Sequence, residues 1–192
     1  MKLALYGGPF DPVHHGHLVL ARDAVEQLGL ERVIFIPAAL SPHKLGRTPA
    51  DGALRRAMLV AALVGEPRFV LDDAELQRPG PSFAIDTVER IAAEFPGAQL
   101  HYLIGADNVR ELYTWRRFDD LRRLVQFVVF GRGAEAADEP YGFPTLARRI
   151  DISATEIRAR VARGASIRYL TPEPVCALIT THHLYQDPPH RI

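Results

Sequence analysis

The chain has 192 residues, of which 47% are hydrophobic and 24% charged, and its 23 basic residues are balanced by 23 acidic ones. This hydrophobic content excludes a disordered chain, and the length suits one domain of ordinary size. Zero net charge argues against a nucleic-acid partner, because a polyanion favours basic proteins. Cys176 is the only cysteine, which excludes an intrachain disulfide, and no apolar stretch reaches the roughly 18 residues of a membrane span. We therefore expect a cytoplasmic protein without a membrane partner, whose assembly into a homo-oligomer the sequence leaves open.

Strand and helix patterns alternate along the whole chain. The predicted strands cover residues 3–6, 32–36, 69–71, 99–104, 126–130 and 146–150. The predicted helices cover residues 16–28, a segment capped by Asp51, a segment capped by Ser82, turns at 107–112 and 119–124, residues 153–163, and a last helix opened by Thr171-Pro172. This alternation predicts an α/β fold with one doubly wound parallel sheet and helices on both faces. We expect a single domain over residues 1–192, with a C-terminal helical portion from about residue 151.

The first candidate site segment follows the first strand and runs from Gly7 to His17. Gly7 and Gly8 allow the backbone to approach a ligand closely, although two glycines alone are more typical of a tight turn. A helix start near His17 offers free N–H groups and a positive dipole end to a phosphate. His14 and His17 are three residues apart and face one point in the first turn. Zinc is disfavoured for this pair, because structural zinc needs four ligands and the chain has no Cys-x-x-Cys.

The second candidate segment is the helix start at residues 152–158. Ser153 and Glu156 fit a capping box, which is a sufficient structural reason for both residues. The cap does not explain Arg158, which shares a helix face with Thr155 and presents a planar fork suited to phosphate oxygens. Residues 144–170 hold six arginines against two carboxylates, a local excess of four positive charges, of which we assign only Arg158 to the site.

The third candidate segment follows the fourth strand. Gly105 permits close approach, Asp107 can accept a hydrogen bond from an amine or a ribose, and Trp115 offers a stacking face. Periodicity alone slightly favours a core position for Trp115. Because ligands of open α/β sheets lie beyond the carboxyl ends of the strands, we expect the three segments to converge there.

These segments resemble the nucleotidyltransferases of the H-x-G-H superfamily and, more narrowly, the bacterial nicotinate-mononucleotide adenylyltransferases. The resemblance covers nearly the whole chain. It runs through Gly-Gly-Pro-Phe-Asp-Pro-Val-His-His-Gly-His-Leu at 7–18, Pro-His-Lys at 42–44, Arg-Arg-Ala-Met-Leu at 55–59, Ser-Phe at 82–83 with Asp-Thr at 86–87, Ile-Gly-Ala-Asp at 104–107 with Trp115, and Ile-Ser-Ala-Thr-Glu-Ile-Arg at 152–158. The middle motifs carry the narrower assignment, because phosphopantetheine adenylyltransferases share only the two ends.

The resemblance implies a Rossmann-like fold and transfer of AMP from ATP to nicotinate mononucleotide, giving deamido-NAD and pyrophosphate. The implied catalytic residues are His14, His17 and Arg158. The implied ATP-binding residues are Gly7, Gly8, Phe10, Gly105, Asp107, Ser153 and Thr155, and the implied substrate-binding residues are His43, Lys44, Ala84 and Trp115. Mg²⁺ is expected to arrive with ATP and to need no protein metal site.

Two residues depart from the family pattern. Pro9 stands where the family has Ser or Thr, which removes a hydroxyl near the phosphates, and Ala84 stands where it has Thr, beside the pyridine ring. Ala84 leaves open the preference between the nicotinate and nicotinamide nucleotides. A phosphopantetheine adenylyltransferase and a non-catalytic nucleotide sensor remain alternatives, although a sensor is expected to have lost one of the histidines or the arginine.

Overall fold

A parallel sheet forms the centre of the part of the chain that the computed structural model describes, residues 1–39, 49–131 and 140–186. Within these ranges the sheet has six strands, in the order β3-β2-β1-β4-β5-β6, and every neighbouring pair is parallel. The strands are β1 (Lys2–Gly8), β2 (Arg32–Pro37), β3 (Phe69–Leu71), β4 (Gln99–Gly105), β5 (Gln126–Gly131) and β6 (Thr145–Ala147). The predicted doubly wound α/β fold is confirmed.

Helices connect the strands, and their ends follow local capping chemistry. They are α1 (His15–Leu28), α2 (Gly52–Leu63), α3 (Ala74–Gln77), α4 (Ala84–Glu94), α5 (Ala106–Val109), a 3₁₀ turn (Leu112–Thr114), α6 (Phe118–Leu124), α7 (Ala154–Ala162) and α8 (Glu173–Thr181). The Asp51 carboxylate caps α2 by accepting from the Ala53 N–H at 2.7 Å, as predicted. Ser153 Oγ caps α7 by accepting from the Glu156 N–H at 3.1 Å. No helix among the described residues is long and apolar enough to cross a membrane.

The alternation of side chains along each strand divides the core into two layers. Ala4 and Tyr6 of β1 belong to the layer that also contains apolar residues of α1, α2, α7 and α8. Leu3 and Leu5 belong to the other layer, which contains residues of α4, α5, α6 and the 3₁₀ turn. Because a strand buried on both faces has no polar side, β1 and β2 read as continuous apolar runs.

The strand order places a crevice between β1 and β4. The chain winds from β1 through β2 to β3 in one direction, and from β4 through β5 to β6 in the other. In open α/β sheets ligands bind where the winding reverses, beyond the carboxyl ends of the strands. Gly8 and Gly105 end the two strands at this point. All three predicted site segments begin at or next to this edge of the sheet.

Four sequence predictions of local structure are wrong in detail. Strand β1 does not stop at Gly7 but continues through Gly8, because both glycines pair with β2. Strand β6 covers Thr145–Ala147 instead of 146–150, since its partner β5 ends at Gly131, which pairs with Ala147.

The two remaining errors concern helix caps. Phe83, not Ser82, is the N-cap of α4, and Ser82 Oγ hydrogen-bonds to no described residue. Thr171 does not cap α8, because its hydroxyl donates to the Val13 carbonyl at 2.7 Å and Pro172 occupies the cap position. The Thr171 hydroxyl, which the local pattern assigned to the cap of α8, therefore forms a long-range hydrogen bond with Val13 instead.

Candidate active site

Two histidines form the start of α1, at the carboxyl end of β1. His14 is the N-cap residue, with extended backbone, and the rings of His14 and His17 stack with centroids 3.7 Å apart and planes 25° apart. His14 is buried, whereas His17 is half-buried. The structure thus brings together the two histidines that their spacing predicted on one side of the first turn.

The hydrogen bonds of His17 define its protonation. The backbone N–H of His14 donates to His17 Nδ1 at 3.2 Å, so Nδ1 is an acceptor and the ring proton lies on Nε2. Burial, together with the neighbouring His14 ring, holds the pKa of His17 well below its usual value. His17 is therefore a neutral imidazole whose Nε2–H is available as a hydrogen-bond donor at neutral pH.

Arg158 connects the second predicted segment to the loop before α1. One of its terminal nitrogens donates to the Asp11 carbonyl at 2.7 Å, and the other donates to Thr155 Oγ1 at 3.1 Å. Thr155 is exposed. The Ser153 cap, the Thr155 hydroxyl and the Arg158 guanidinium thus lie at one end of α7, directly beside the segment that carries the histidines.

Ion pairs neutralise a large part of the positive charge that the sequence places in residues 144–170. Arg148 pairs with the buried Asp23, Arg149 with Asp151, and Arg160 with Glu156. Two hydrogen bonds of Arg158, to the Asp11 carbonyl and to Thr155 Oγ1, hold its guanidinium between the start of α7 and the loop that precedes the histidines. This position supports the choice of Arg158 as the site arginine of the segment.

Tyr6 lies between the third candidate segment, which carries Asp107, and the ring of His17. Asp107 is exposed at the start of α5, and its negative charge, after burial, is the second cause that raises the pKa of the Tyr6 phenol. The Tyr6 ring in turn lies edge-on to His17, with centroids 6.0 Å apart. A side chain at Gly105 would require the exposed Asp107 carboxylate to move.

Trp115 and Ala84 lie on the opposite side of the sheet from Tyr6. Both are partly buried against the second core layer, and Trp115 stands edge-on to Tyr102, with ring centroids 5.7 Å apart. One part of Trp115 therefore packs on the core, and the part that stays accessible is compatible with the predicted stacking role. Ala84 is the first residue of α4.

The remaining predicted residues differ in what they offer to a ligand. Phe10 is 1% exposed, and its ring packs against Tyr6, His17 and Phe35, so it supports His17 from within the core. A Cβ on Gly7 would lie 2.7 Å from the Tyr102 hydroxyl, and one on Gly8 would lie 3.4 Å from the Phe10 ring. Packing against Tyr102 therefore requires a glycine at position 7, whereas the contact at Gly8 is at an ordinary distance. His43 and Lys44 lie outside the described residues.

Sequence reasoning assigned no role to two buried residues, Asp11 and Arg55, and to the partly buried Tyr185, which hold the histidine loop in place. Asp11 Oδ1 accepts from the Tyr185 hydroxyl at 2.7 Å and from the Ala50 N–H at 3.2 Å. Arg55 donates to the carbonyls of Pro9, Ala38 and Ala50 at 2.8 to 3.0 Å. A signal for Arg55 was available, because it shares a helix face with the buried Met58 and Leu59. Tyr185 carried no such signal.

Among the described residues, no three His, Cys, Asp or Glu side chains are grouped so that they could hold a metal ion. The Asp11 carboxylate, which lies at this end of the sheet, already accepts two hydrogen bonds.

Comparison with known proteins agrees with this geometry. The family model described as cytidylyltransferase-like matches residues 5–160. Curated relatives include a "Probable nicotinate-nucleotide adenylyltransferase" of Thermus thermophilus, 39% identical over 97% of this chain and 100% of its own length, and one of Shouchella clausii, 41% identical over 97% of both chains. Another, from Trichlorobacter lovleyi, is 38% identical over 97% of this chain and 100% of its own.

Solved structures show the same fold at low sequence identity. A Plasmodium falciparum nicotinic acid mononucleotide adenylyltransferase complexed with NaAD has a TM-score of 0.75 at 17% identity, and covers 96% of this chain and 97% of its own. A putative nicotinate-nucleotide adenylyltransferase from Vibrio parahaemolyticus has a TM-score of 0.69 at 20% identity, with 98% of both chains covered.

A parallel sheet of this strand order, with paired histidines at the first helix start and an arginine-bearing helix start beside them, defines a nucleotidyltransferase. Within that class, the sequence identity of the curated relatives and the share of the chain that they cover determine the family. The chain belongs to the nicotinate-nucleotide adenylyltransferase family, in the cytidylyltransferase-like group.

Proposed function

We propose that this protein transfers AMP from ATP to nicotinate mononucleotide. The 5′-phosphate oxygen of the mononucleotide forms a bond to the α-phosphorus of ATP while the bond from that phosphorus to the β-phosphate oxygen breaks. The products are deamido-NAD and pyrophosphate. The observation that carries this proposal is the stacked pair of His14 and His17 at the start of α1, with Arg158 hydrogen-bonded to the loop that precedes them.

Catalysis of this step requires positioning and charge stabilisation, because no covalent enzyme intermediate is needed. The Nε2–H of neutral His17 donates to an ATP phosphate oxygen whose charge grows as the bond breaks, and His14 contacts the same phosphates. Arg158, with the α7 start at Ser153 and Thr155, binds the β- and γ-phosphates that leave. These donors are held by the fold before substrate arrives, which makes them effective for transition-state stabilisation.

The other predicted residues keep their assigned roles in the proposal. Gly7, Gly8 and the Phe10 backbone approach ATP, and Gly105 and Asp107 bind its nucleoside half. Trp115 stacks on the pyridine ring, and the backbone at Ala84 binds its substituent. His43 and Lys44 bind the mononucleotide phosphate. Mg²⁺ enters bound to ATP, where phosphate and water oxygens suit its octahedral preference.

The proposal extends to the organisation of the protein. We expect residues 1–192 to form a single nucleotidyltransferase domain, with its C-terminal helical portion from about residue 151. A cytoplasmic location, and the lack of a nucleic-acid or membrane partner, stay predictions from the sequence.

A pyrophosphate-release assay tests the reaction and the acceptor together. Wild-type protein with MgATP is expected to release pyrophosphate with nicotinate mononucleotide, and to do so faster than with nicotinamide mononucleotide or phosphopantetheine. A preference for either of the other acceptors would replace nicotinate mononucleotide as the substrate. ATP binding without pyrophosphate release from any acceptor would identify a nucleotide sensor.

The role of the histidines is tested by His17→Ala, with His15→Ala as the matched control from the same helical turn. Loss of one preorganised donor typically lowers the rate by a factor on the order of 10²–10³. We expect kcat/KM to fall by this factor in His17→Ala and to change little in His15→Ala, with circular dichroism confirming that both fold. Near-normal turnover by folded His17→Ala would contradict the assignment.

A further inference from the structure

A buried phenol at the crevice between β1 and β4 has no role in the assignments above. Tyr102 is 8% exposed, its hydroxyl forms no hydrogen bond with any residue that the structure describes, and this oxygen is not one of the fully enclosed polar atoms. Buried tyrosine hydroxyls usually have a hydrogen-bond partner, because burying an unsatisfied polar group costs free energy. The Tyr102 hydroxyl avoids this cost because its oxygen keeps access to solvent at the carboxyl end of the parallel strands, where a ligand oxygen can replace water.

The position of this hydroxyl is defined from two sides. A Cβ on Gly7 would lie 2.7 Å from the Tyr102 oxygen, so the phenol lies against the backbone where β1 approaches its end. The Tyr102 ring also contacts Trp115 edge-to-face and packs in the same core layer as Ala84. The hydroxyl thus lies at the edge of the sheet where ligands of this fold bind, on the side that carries Trp115 and Ala84.

Its neighbours keep the phenol protonated and leave it free to donate. Burial, followed by the negative charge of Glu75, raises the pKa of Tyr102 far above neutral pH. The Glu75 carboxylate is itself engaged, because it accepts from Thr87 Oγ1 at 2.7 Å. Tyr102 therefore presents a neutral O–H group that needs an acceptor oxygen.

We propose that the Tyr102 hydroxyl donates a hydrogen bond to an oxygen of the pyridine nucleotide and contributes to its selection. The inference rests on the proposed function, which places the pyridine ring at Trp115 and Ala84. The acceptor oxygen belongs either to the pyridine substituent or to the ribose phosphate, since both carry strong acceptors.

Tyr102→Phe removes only the hydroxyl oxygen. The chain has a single tryptophan, Trp115, so its fluorescence during titration with nicotinate mononucleotide measures binding beside Tyr102. We expect the Kd and KM for nicotinate mononucleotide to rise roughly tenfold in Tyr102→Phe, the loss that follows from one hydrogen bond to an anionic ligand, while the KM for ATP stays unchanged.

A control variant separates this role from general effects of losing a phenol. Tyr113→Phe removes an exposed hydroxyl. It is not expected to change the KM for nicotinate mononucleotide. Equal affinity of wild type and Tyr102→Phe for this nucleotide, or an increase in the KM for ATP alone, would overturn the inference.

The same measurements with nicotinamide mononucleotide locate the acceptor. A larger effect on the nicotinate nucleotide places the acceptor on the pyridine carboxylate, whereas equal effects on the two nucleotides place it on the ribose phosphate. Either result supports a contact between Tyr102 and the pyridine nucleotide. Failure of wild-type protein to use any pyridine nucleotide would instead contradict the proposed function, so the two failures are distinguishable.

Discussion

Individual buried side chains in this protein are tuned by hydrogen bonds that fix which atom carries a proton. His17 accepts through Nδ1 from the His14 backbone, and His101 donates through Nδ1 to the Leu3 carbonyl at 3.3 Å. Burial is the main cause that lowers the pKa of both histidines. His17 lies at the candidate active site, whereas His101 lies within β4. Burial therefore lowers the pKa of a histidine both at the candidate site and in a strand of the sheet.

His101 is expected to make folding stability depend on pH. Because its pKa is lower in the folded protein than in the unfolded chain, the unfolded chain binds more protons between those two values. The stabilisation is complete above the unfolded pKa, about 6.5, and is lost as pH falls below it. We expect His101→Asn, which retains an N–H donor and does not titrate there, to lose less free energy of unfolding between about pH 8 and about pH 5.5.

Denaturant unfolding at the two pH values measures this difference, with His182→Asn as the exposed control. An unchanged pH dependence in His101→Asn would show that other groups cause it. His17 contributes with the same sign and is intact in both variants, so some acid sensitivity is expected to persist.

At the scale of elements, a side chain of β4 packs against the backbone of β1 near its carboxyl end and leaves no room for a side chain there. The Tyr102 hydroxyl occupies the space where a Cβ on Gly7 would stand, whereas the next atom of that ring lies 3.6 Å away, an ordinary contact distance. The glycine in the motif is therefore a packing requirement of β4 as well as a feature of the predicted nucleotide site.

We predict that Gly7→Ala destabilises the wild-type protein by about 1–3 kcal/mol through overpacking. The same substitution in a Tyr102→Phe background is expected to cost much less, because the clashing oxygen is gone. A double-mutant cycle of unfolding free energies measures this coupling. Additive costs would contradict the close approach.

At the scale of the whole molecule, Arg55 joins three segments that are distant in sequence. Its 2% exposed side chain binds the carbonyls of Pro9 before α1, Ala38 after β2, and Ala50 before α2. Burial lowers the pKa of Arg55, opposed by the nearby charge of Asp11. The histidine loop therefore depends on a residue of α2 for its position.

Arg55→Met is expected to lower stability by about 3 kcal/mol or more, because several buried carbonyls lose their donor. Arg55→Lys is expected to recover little, since a single ammonium cannot reproduce the planar fork. Arg56→Met is the matched control, because the neighbouring Arg56 is half exposed in its ion pair with Asp73, and surface pairs contribute about 0–1 kcal/mol. Similar unfolding midpoints for Arg55→Met and Arg56→Met would contradict this role.

Much of the fold and part of the site could be predicted from local pattern. Strand and helix order, the Asp51 and Ser153 caps, and the meeting of His14 with His17 depend on contacts within a few residues. Ser82 and Thr171 were wrongly predicted to cap helices, because the same local pattern also occurs where the side chain forms no cap hydrogen bond. The edge strand β6 was misplaced since its length is limited by the end of β5 at Gly131, which the pattern of β6 alone does not show.

The sequence by itself determined that this chain forms a parallel α/β sheet and carries paired histidines and an arginine at helix starts, because periodicity and capping act over one or two turns. Only the tertiary structure decided that Arg158 meets the Asp11 carbonyl, that Tyr185 binds the Asp11 carboxylate, and that Tyr102 lies against Gly7. These partners are 95 to 174 residues apart. Which of them meet depends on strand order and side-chain direction, and no local pattern encodes either.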